Sequence, residues 1–388
     1  MIVDLRSLRL HQGGHLLVKR ALQALPIGEV ITVQGEDPEL SLHLRAWARA
    51  QGHGFQEPAT LRKGDAERSR WAQAHLAGTA GVDGVVDYAQ AQWGVAARGA
   101  QVEAGLPPLP FALSQRQQVW SPQAPRMYAQ AAAAQWDPET AIPWDAPISH
   151  PEEVEDAVVQ VMTYLIENET VALLVPARFL AQVHPHFREI LQVLAIQVAD
   201  EARHIEVFSR RAGLRRERLG RSTAGGQASL RTLLEEPDFA LASFLLSVLG
   251  EGSFLELLRF LHTHAPDAIT AAVVRLSAQD EARHVAFGLA HLEAHLEADP
   301  DLRPRLAAAV HQRHAALQHT AGLNAEVFDA LTLLAAGGWE PERIAAGHAA
   351  VVQLSVDMDR GRRARLQRLG FDREQAAALS ALHTRNFM

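Results

Sequence analysis

The alternation of apolar and polar positions divides this chain into three stretches. Over residues 1–64, short β-branched runs alternate with amphipathic helices. Ile2-Val3-Asp4-Leu5 reads as a strand, and Leu16, Leu17, Ala21, Leu22 and Leu25 then recur at helical spacing over 15–25. Val30-Ile31-Thr32-Val33 is a second strand, Asp37-Pro38 opens a helix to about residue 51, and a third strand follows around 55–61. This order predicts a small α/β two-layer domain. Over 65–123 the pattern weakens, because Gly81, Gly84, Gly94, Gly99 and Pro107-Pro108-Leu109-Pro110 interrupt two short helical stretches. That stretch reads as a linker, although Trp71 and Trp93 indicate packing. Residues 124–388 form the third stretch. After Trp136 and Trp144 the pattern predicts helices over 151–182, 185–212, 227–264, 266–297, 301–320, 324–337, 341–369 and 372–384, with no competing strand signal.

One five-residue word occurs twice in the helical part: Asp200-Glu201-Ala202-Arg203-His204 and Asp280-Glu281-Ala282-Arg283-His284, 80 residues apart. Each contains Glu-x-x-His, and residues three apart on a helix share a face, so carboxylate and imidazole can meet at one cation. Two such helices, each preceded by a helix offering a glutamate, would make a four-helix dimetal carboxylate site. Upstream of Glu201 the candidates are Glu167 and Glu169. Glu169 sits at the centre of the apolar stripe Val158, Met162, Leu165, Ile166, Ala172, Leu173 and Pro176, and is preferred. Upstream of Glu281, Glu251 shares interior spacing with Phe244, Ser247, Val248, Phe254 and Leu258, whereas Glu256 sits beside Gly252 and Arg259. Glu251 is preferred. The separations from the two words, 32 and 30 residues, are nearly equal, as duplicated helix pairs require. A lone Glu-x-x-His is ordinarily a solvated pair; a duplicated word with an upstream carboxylate for each copy is not, since four buried carboxylates without a cation would be costly.

Composition narrows the chemistry. The absence of cysteine from all 388 residues excludes disulfides, thiolate catalysis, Cys-ligated zinc and iron–sulfur clusters. What remains is a carboxylate and imidazole donor set suited to iron or manganese. A formal charge of −8, from 45 acidic against 37 basic residues, offers no large basic surface, so no nucleic-acid partner is expected. The longest apolar run, 239–249, falls short of the roughly 18–20 residues of a membrane helix. The N-terminus lacks a basic flank and apolar core. A cytoplasmic chain with no membrane partner is expected.

Residues 125–388 resemble the ferritin-like di-iron oxygenase superfamily, including acyl-carrier-protein desaturases, ribonucleotide reductase small subunits and the p-aminobenzoate N-oxygenase group. The resemblance rests on the Asp-Glu-x-Arg-His wording. It implies a mainly α fold, a ferritin-like four-helix bundle with extra C-terminal helices. It also implies Glu169, Glu201, His204, Glu251, Glu281 and His284 as metal ligands, Glu201 and Glu281 bridging. Asp200 would then orient His284, and Asp280 would orient His204. For Arg203 and Arg283 a solvated or structural ion pair is an equal reading. Trp136 and Trp144 read as packing anchors or pocket walls.

Such a site serves several chemistries. The position of the reductase radical tyrosine is Phe208 here, and that of the N-oxygenases' extra histidine is Ser277. Gly288, seven residues beyond Glu281, would leave room for a substrate or would serve helix packing. The leading expectation is an oxygenase that binds two iron ions, or Mn/Fe, and uses O2 as co-substrate. A bridging peroxide would oxidise a small organic substrate, with an external electron donor and a homodimeric chain. The alternative is an iron oxidase or peroxide scavenger without organic substrate, and a third class is a metal-stabilised scaffold.

Residues 2–64 resemble a TusA-type sulfur-carrier domain in the words Asp4-Leu5-Arg6-Ser7-Leu8-Arg9, Leu25-Pro26-Ile27-Gly28-Glu29-Val30 and Leu44-Arg45-Ala46-Trp47. Where that family has Cys-Pro-x-Pro, this chain has Leu10-His11-Gln12-Gly13. Without the thiol no persulfide can be carried, so docking, dimerisation or a lid role is expected.

Overall fold

A computed structural model describes residues 1–65, 71–318 and 325–383. The ends of three predicted helices, at 319–320, 324 and 384, and residues 66–70 of the predicted linker lie outside the described residues. The chain divides into two compact units, Met1–Val85 with Gln90–Pro110, and Val86–Ala89 with Phe111–Met388.

The first unit carries the sheet. β1 (Ile2–Asp4), α1 (Gly14–Gln23), β2 (Val30–Gln34), α2 (Leu40–Ala50), β3 (Gly54–Gln56) and β4 (Thr60–Arg62) build a sheet of order β1-β2-β4-β3. β1 and β2 are parallel with α1 as their crossover, and the other pairs are antiparallel. Alternation in β2 turns Ile31 and Val33 inward, against Val18 and Leu22 of α1 and Leu40, Leu44 and Ala48 of α2. Two expectations change here. Leu16 and Leu17 are exposed, because the buried stripe of α1 runs through Val18 and Leu22 instead. The single strand around 55–61 is a hairpin, since Pro58, which has no N–H to donate, falls between β3 and β4. A further two-stranded pair joins β5 (His75–Leu76) to β6 (Gln101–Val102).

The second unit is helical. α3 (Ala124–Ala133) is followed by α4 (Glu152–Leu180), α5 (Arg188–Gly213), α6 (Ala224–Leu234) and α7 (Phe239–Thr263). Then come α8 (Ala268–Ala298), α9 (Leu302–Leu317), α10 (Ala325–Ala336), α11 (Pro341–Arg368) and α12 (Arg373–His383). Helix α4 packs along α5, α7 along α8, and α5 meets α8, while α10 and α11 lie against α4 and α7 respectively. The helix predicted over 227–264 is broken in two. Pro237 cannot continue α6, and Asp238 caps α7 by accepting the Leu241 N–H at 3.0 Å. Helix α3 was not predicted, although its Ala-rich sequence is amphipathic, with Ala124 and Ala131 buried.

Helix α7 widens into a π-helix over Phe244–Glu251, every residue of which is buried. Arg365 on α11 donates from Nε to the Val248 carbonyl at 2.7 Å and lies against Gly252, where a Cβ would come within 2.5 Å of the guanidinium carbon. Helices α4 and α7 are long and apolar enough to cross a membrane by length and composition, but 67% and 78% of their apolar windows are buried inside the unit. Their apolarity is that of core helices.

At the far end of α5, Arg211 is fully buried and donates to both oxygens of Glu155 at 2.8 and 3.0 Å, to Asp267 at 2.8 Å and to Thr270 at 2.7 Å. His150 pairs with Glu155 at 2.6 Å. This network ties the starts of α4 and α8 to the end of α5.

Candidate metal centre

The two repeated words lie on α5 and α8, the chosen upstream glutamates on α4 and α7, and all six side chains are buried at 4% exposure or less. Ligand atoms of Glu169, Glu201, His204 and Glu281 lie within 4.8 Å of one another, as do those of Glu201, Glu251, Glu281 and His284. Glu201 and Glu281 belong to both groups. His204 Nδ1 is 3.1 Å from Glu201, 3.3 Å from Glu281 and 3.5 Å from Glu169. His284 Nδ1 is 3.0 Å from Glu201 and 3.4 Å from Glu281. The rejected alternatives are less buried: Glu167 is half-buried, and Glu256 pairs with Arg259 at 2.8 Å.

The aspartates cross between the halves. His204 Nε2 donates to Asp280 at 3.1 Å, and His284 Nε2 donates to Asp200 at 3.2 Å. Each imidazole therefore keeps a proton on Nε2 and turns the Nδ1 lone pair toward the glutamates when a cation replaces the proton there. The aspartates are held in turn by residues that the sequence reading left out or left open. Gln135 donates to Asp200 at 2.8 Å, and Trp136 Nε1 donates to Asp280 at 2.8 Å. Arg203 bonds both Asp200 and Asp280, the latter at 2.9 Å, and its guanidinium stacks on Trp136 at 4.6 Å. Arg203 thus joins the two halves rather than serving as a solvated charge, and Arg283 bonds Asp280. Trp144 has a packing role: it donates to the Pro138 carbonyl at 2.7 Å and carries Arg210 over its ring.

The electrostatics are those of a cluster that could hold a cation. Burial, followed by the charges of Glu281 and Glu201, pushes the Glu169 carboxyl well above the usual carboxylate range. Burial and then Glu281 do the same to Glu251. Burial opposes charge on His204 and His284, but the surrounding carboxylates outweigh it and raise both imidazoles. For Glu201 burial again opposes charge, and His284 and His204 outweigh it to hold the carboxyl low. Oε1 of Glu169, Oε2 of Glu251 and both oxygens of Glu281 are buried without a hydrogen bond. Orphaned buried carboxylate oxygens cost free energy that a metal ion would recover, and oxygen with imidazole nitrogen fits iron or manganese.

Gly288 makes room for helix packing and not for a substrate, since a Cβ there would sit 2.5 Å from the Ser247 Cβ. Phe208 is fully buried, with its ring 6.2 Å from that of His204. A cavity of about 20 Å³ lies among Val175, Leu194, Gln197, Ser243, Ser247 and Phe287. That space admits one molecule of about the size of water.

Removing the negative charge opposite His204 while keeping the shape of the side chain is a direct test of the crossed pairing. Asp280→Asn should lower metal affinity about 10- to 100-fold with the fold intact. An unchanged metal titration would show that the aspartate does not orient the ligand.

No protein-family model and no curated protein matches the chain. Among solved structures it is similar to a protein with aldehyde deformylating oxidase activity from Synechococcus, at 16% identity over 59% of this chain and 96% of that one, TM-score 0.41. It is also similar to a variant of an R2-like ligand-binding oxidase with an aerobically reconstituted Mn/Fe cofactor, at 17% identity over 65% and 93%, TM-score 0.47. A second variant of that oxidase, with an anaerobically reconstituted Mn/Fe cofactor, gives 16%, 65%, 93% and 0.42. At such identity and superposition these likenesses carry no weight, and the chemistry follows from this chain's own side chains.

Proposed function

We propose that the helical unit is a ferritin-like dimetal oxidoreductase that uses O2, with Glu169, Glu201, His204, Glu251, Glu281 and His284 as metal ligands. The reading is carried by the convergence of these buried side chains into two groups that share Glu201 and Glu281 and contain carboxylate oxygens with no other partner. Two iron ions, or manganese with iron, bound there would supply the electron transfer to O2 that carboxylates and imidazoles cannot perform. The chain's residues do the rest. Glu169 with His204, and Glu251 with His284, complete one group each. Asp280 and Asp200 hold the Nε2 protons, and Arg203, Gln135 and Trp136 fix those aspartates. The burial of all six ligands at 4% exposure or less keeps bulk water away.

The finer reading is an oxygenase acting on a small organic substrate, supplied with electrons by an external donor, in a cytoplasmic homodimer. One observation favours the second reading, an oxidase or peroxide scavenger without organic substrate: the cavity of about 20 Å³ has no room for an organic molecule. The TusA-like stretch, lacking its cysteine, is proposed to dock or dimerise, and its parallel β1–β2 pair with a helical crossover is compatible with that likeness.

Anaerobic titration with Fe(II), followed by O2, tests both readings. Binding should saturate at about two ions per chain, one for each group, and O2 uptake should follow. Uptake accelerated by a member of a small-molecule panel, with an oxygenated product, would establish the oxygenase. Repeated turnover of Fe(II) alone would establish the oxidase. Failure to hold iron near that stoichiometry overturns both.

A further inference from the structure

The two halves of the centre repeat in sequence but differ one turn before each word. Four residues before Glu201 stands Gln197, and four before Glu281 stands Ser277. Both are buried, at 3% and 0% exposure. Gln197 Nε2 donates to Glu251 Oε1 at 3.0 Å, and the Ser247 hydroxyl also hydrogen-bonds Glu251. Only Oε2 of Glu251 is left without a partner. The Ser277 hydroxyl makes no hydrogen bond, and Glu169 receives no amide: its Oε1 is orphaned and its Oε2 faces the His204 ring at 3.5 Å. One terminal glutamate is thus free to offer two oxygens and the other is held to one. Gln197 and Ser247 also line the small cavity.

We propose, on the dimetal reading above, that Gln197 is a positioning residue that makes the two metal positions inequivalent. By occupying one oxygen of Glu251 it leaves the metal beside His284 one carboxylate oxygen short of its neighbour beside His204. The missing donor is a small exogenous ligand of the class of O2, peroxide or azide. The same amide that restricts Glu251 therefore selects which metal meets the small molecule.

Co(II), whose visible bands report coordination number, is the metal probe, and azide is the ligand probe. The full chain loaded with Co(II) should show two spectroscopically distinct ions, only one of which responds to azide. On a Ser247→Ala background, which removes the other hydrogen bond to Glu251, Gln197→Met, close in volume, frees Glu251 Oε1 to close the open position, and azide affinity should fall by roughly 10-fold or more. Gln197→Asn on the same background, whose amide is one methylene too short to reach, should give the same fall and serves if the methionine variant does not fold. Azide perturbing both ions alike in the unmodified chain, or unchanged azide affinity in a folded variant with both ions bound, overturns the proposal and leaves the dimetal reading standing. Failure of the unmodified chain to bind two Co(II) overturns the dimetal reading instead.

Discussion

Glu201→Ala is expected to abolish loading at both metal positions, a loss that only the other shared carboxylate, Glu281, should match. Glu201 belongs to both ligand groups, so its removal leaves each with three members. Glu169→Ala, by contrast, leaves Glu201, Glu251, Glu281 and His284 intact and should retain one ion. Because metal binding here stabilises only the folded chain, stability reports occupancy. At a free metal concentration of about 1,000 times Kd, each occupied site adds about 4 kcal/mol to unfolding. Thermal unfolding of the unmodified chain should therefore shift strongly upward with Fe(II) or Mn(II), that of Glu169→Ala by a smaller step, and that of Glu201→Ala not at all. Metal analysis after desalting gives an independent count. Full loading of Glu201→Ala would remove the shared-carboxylate arrangement from consideration.

Arg211→Met should destabilise the helical unit by about 3–5 kcal/mol, since it leaves two buried carboxylates, Glu155 and Asp267, without their cation. The loss should depend on pH in a defined direction. Burial opposes charge on Glu155, but the Arg211 hydrogen bonds outweigh it and hold the carboxyl below its ordinary value. At Asp267 burial is likewise outweighed, first by the Thr270 N–H and then by Arg211. A carboxyl depressed in the folded chain contributes stability above the unfolded pKa of about 4 and loses it as pH falls through the folded value. The unmodified chain should thus weaken steeply below about pH 4, and the difference between it and Arg211→Met should shrink over the same range. Denaturant unfolding from neutral to acid pH measures both curves. Parallel curves would mean that the network contributes nothing specific.

Much of the centre could be read from the residues in order. Two copies of Asp-Glu-Ala-Arg-His stand out in any chain, and helical spacing placed Glu169 and Glu251, not Glu167 and Glu256, on the apolar faces of their helices. The crossed bonds of Asp200 and Asp280 came from family likeness, since no spacing rule links residues on different helices. The break at Pro237-Asp238 had visible signals, a proline and a capping aspartate, that the apolar run around them obscured. The hairpin at Pro58 was legible for the same reason.

Periodicity states which residues share a face of one helix, and nothing about which face of another helix meets it. Hence the duplicated words, the donor chemistry and the buried stripes are properties of the chain as written. The contacts that close the site are not. Gln197 meets Glu251 across 54 positions, Trp136 meets Asp280 across 144, and Arg203 reaches Asp280 across 77. Gly288 could be read in the sequence as substrate space or as helix packing, and the fold, with Ser247 against it, decides for packing. Such pairings depend on the rotation and separation of packed helices, set by the fit of many side chains at once. The inequivalence of the two halves, hidden in a repeat that looks symmetric, belongs to that packing.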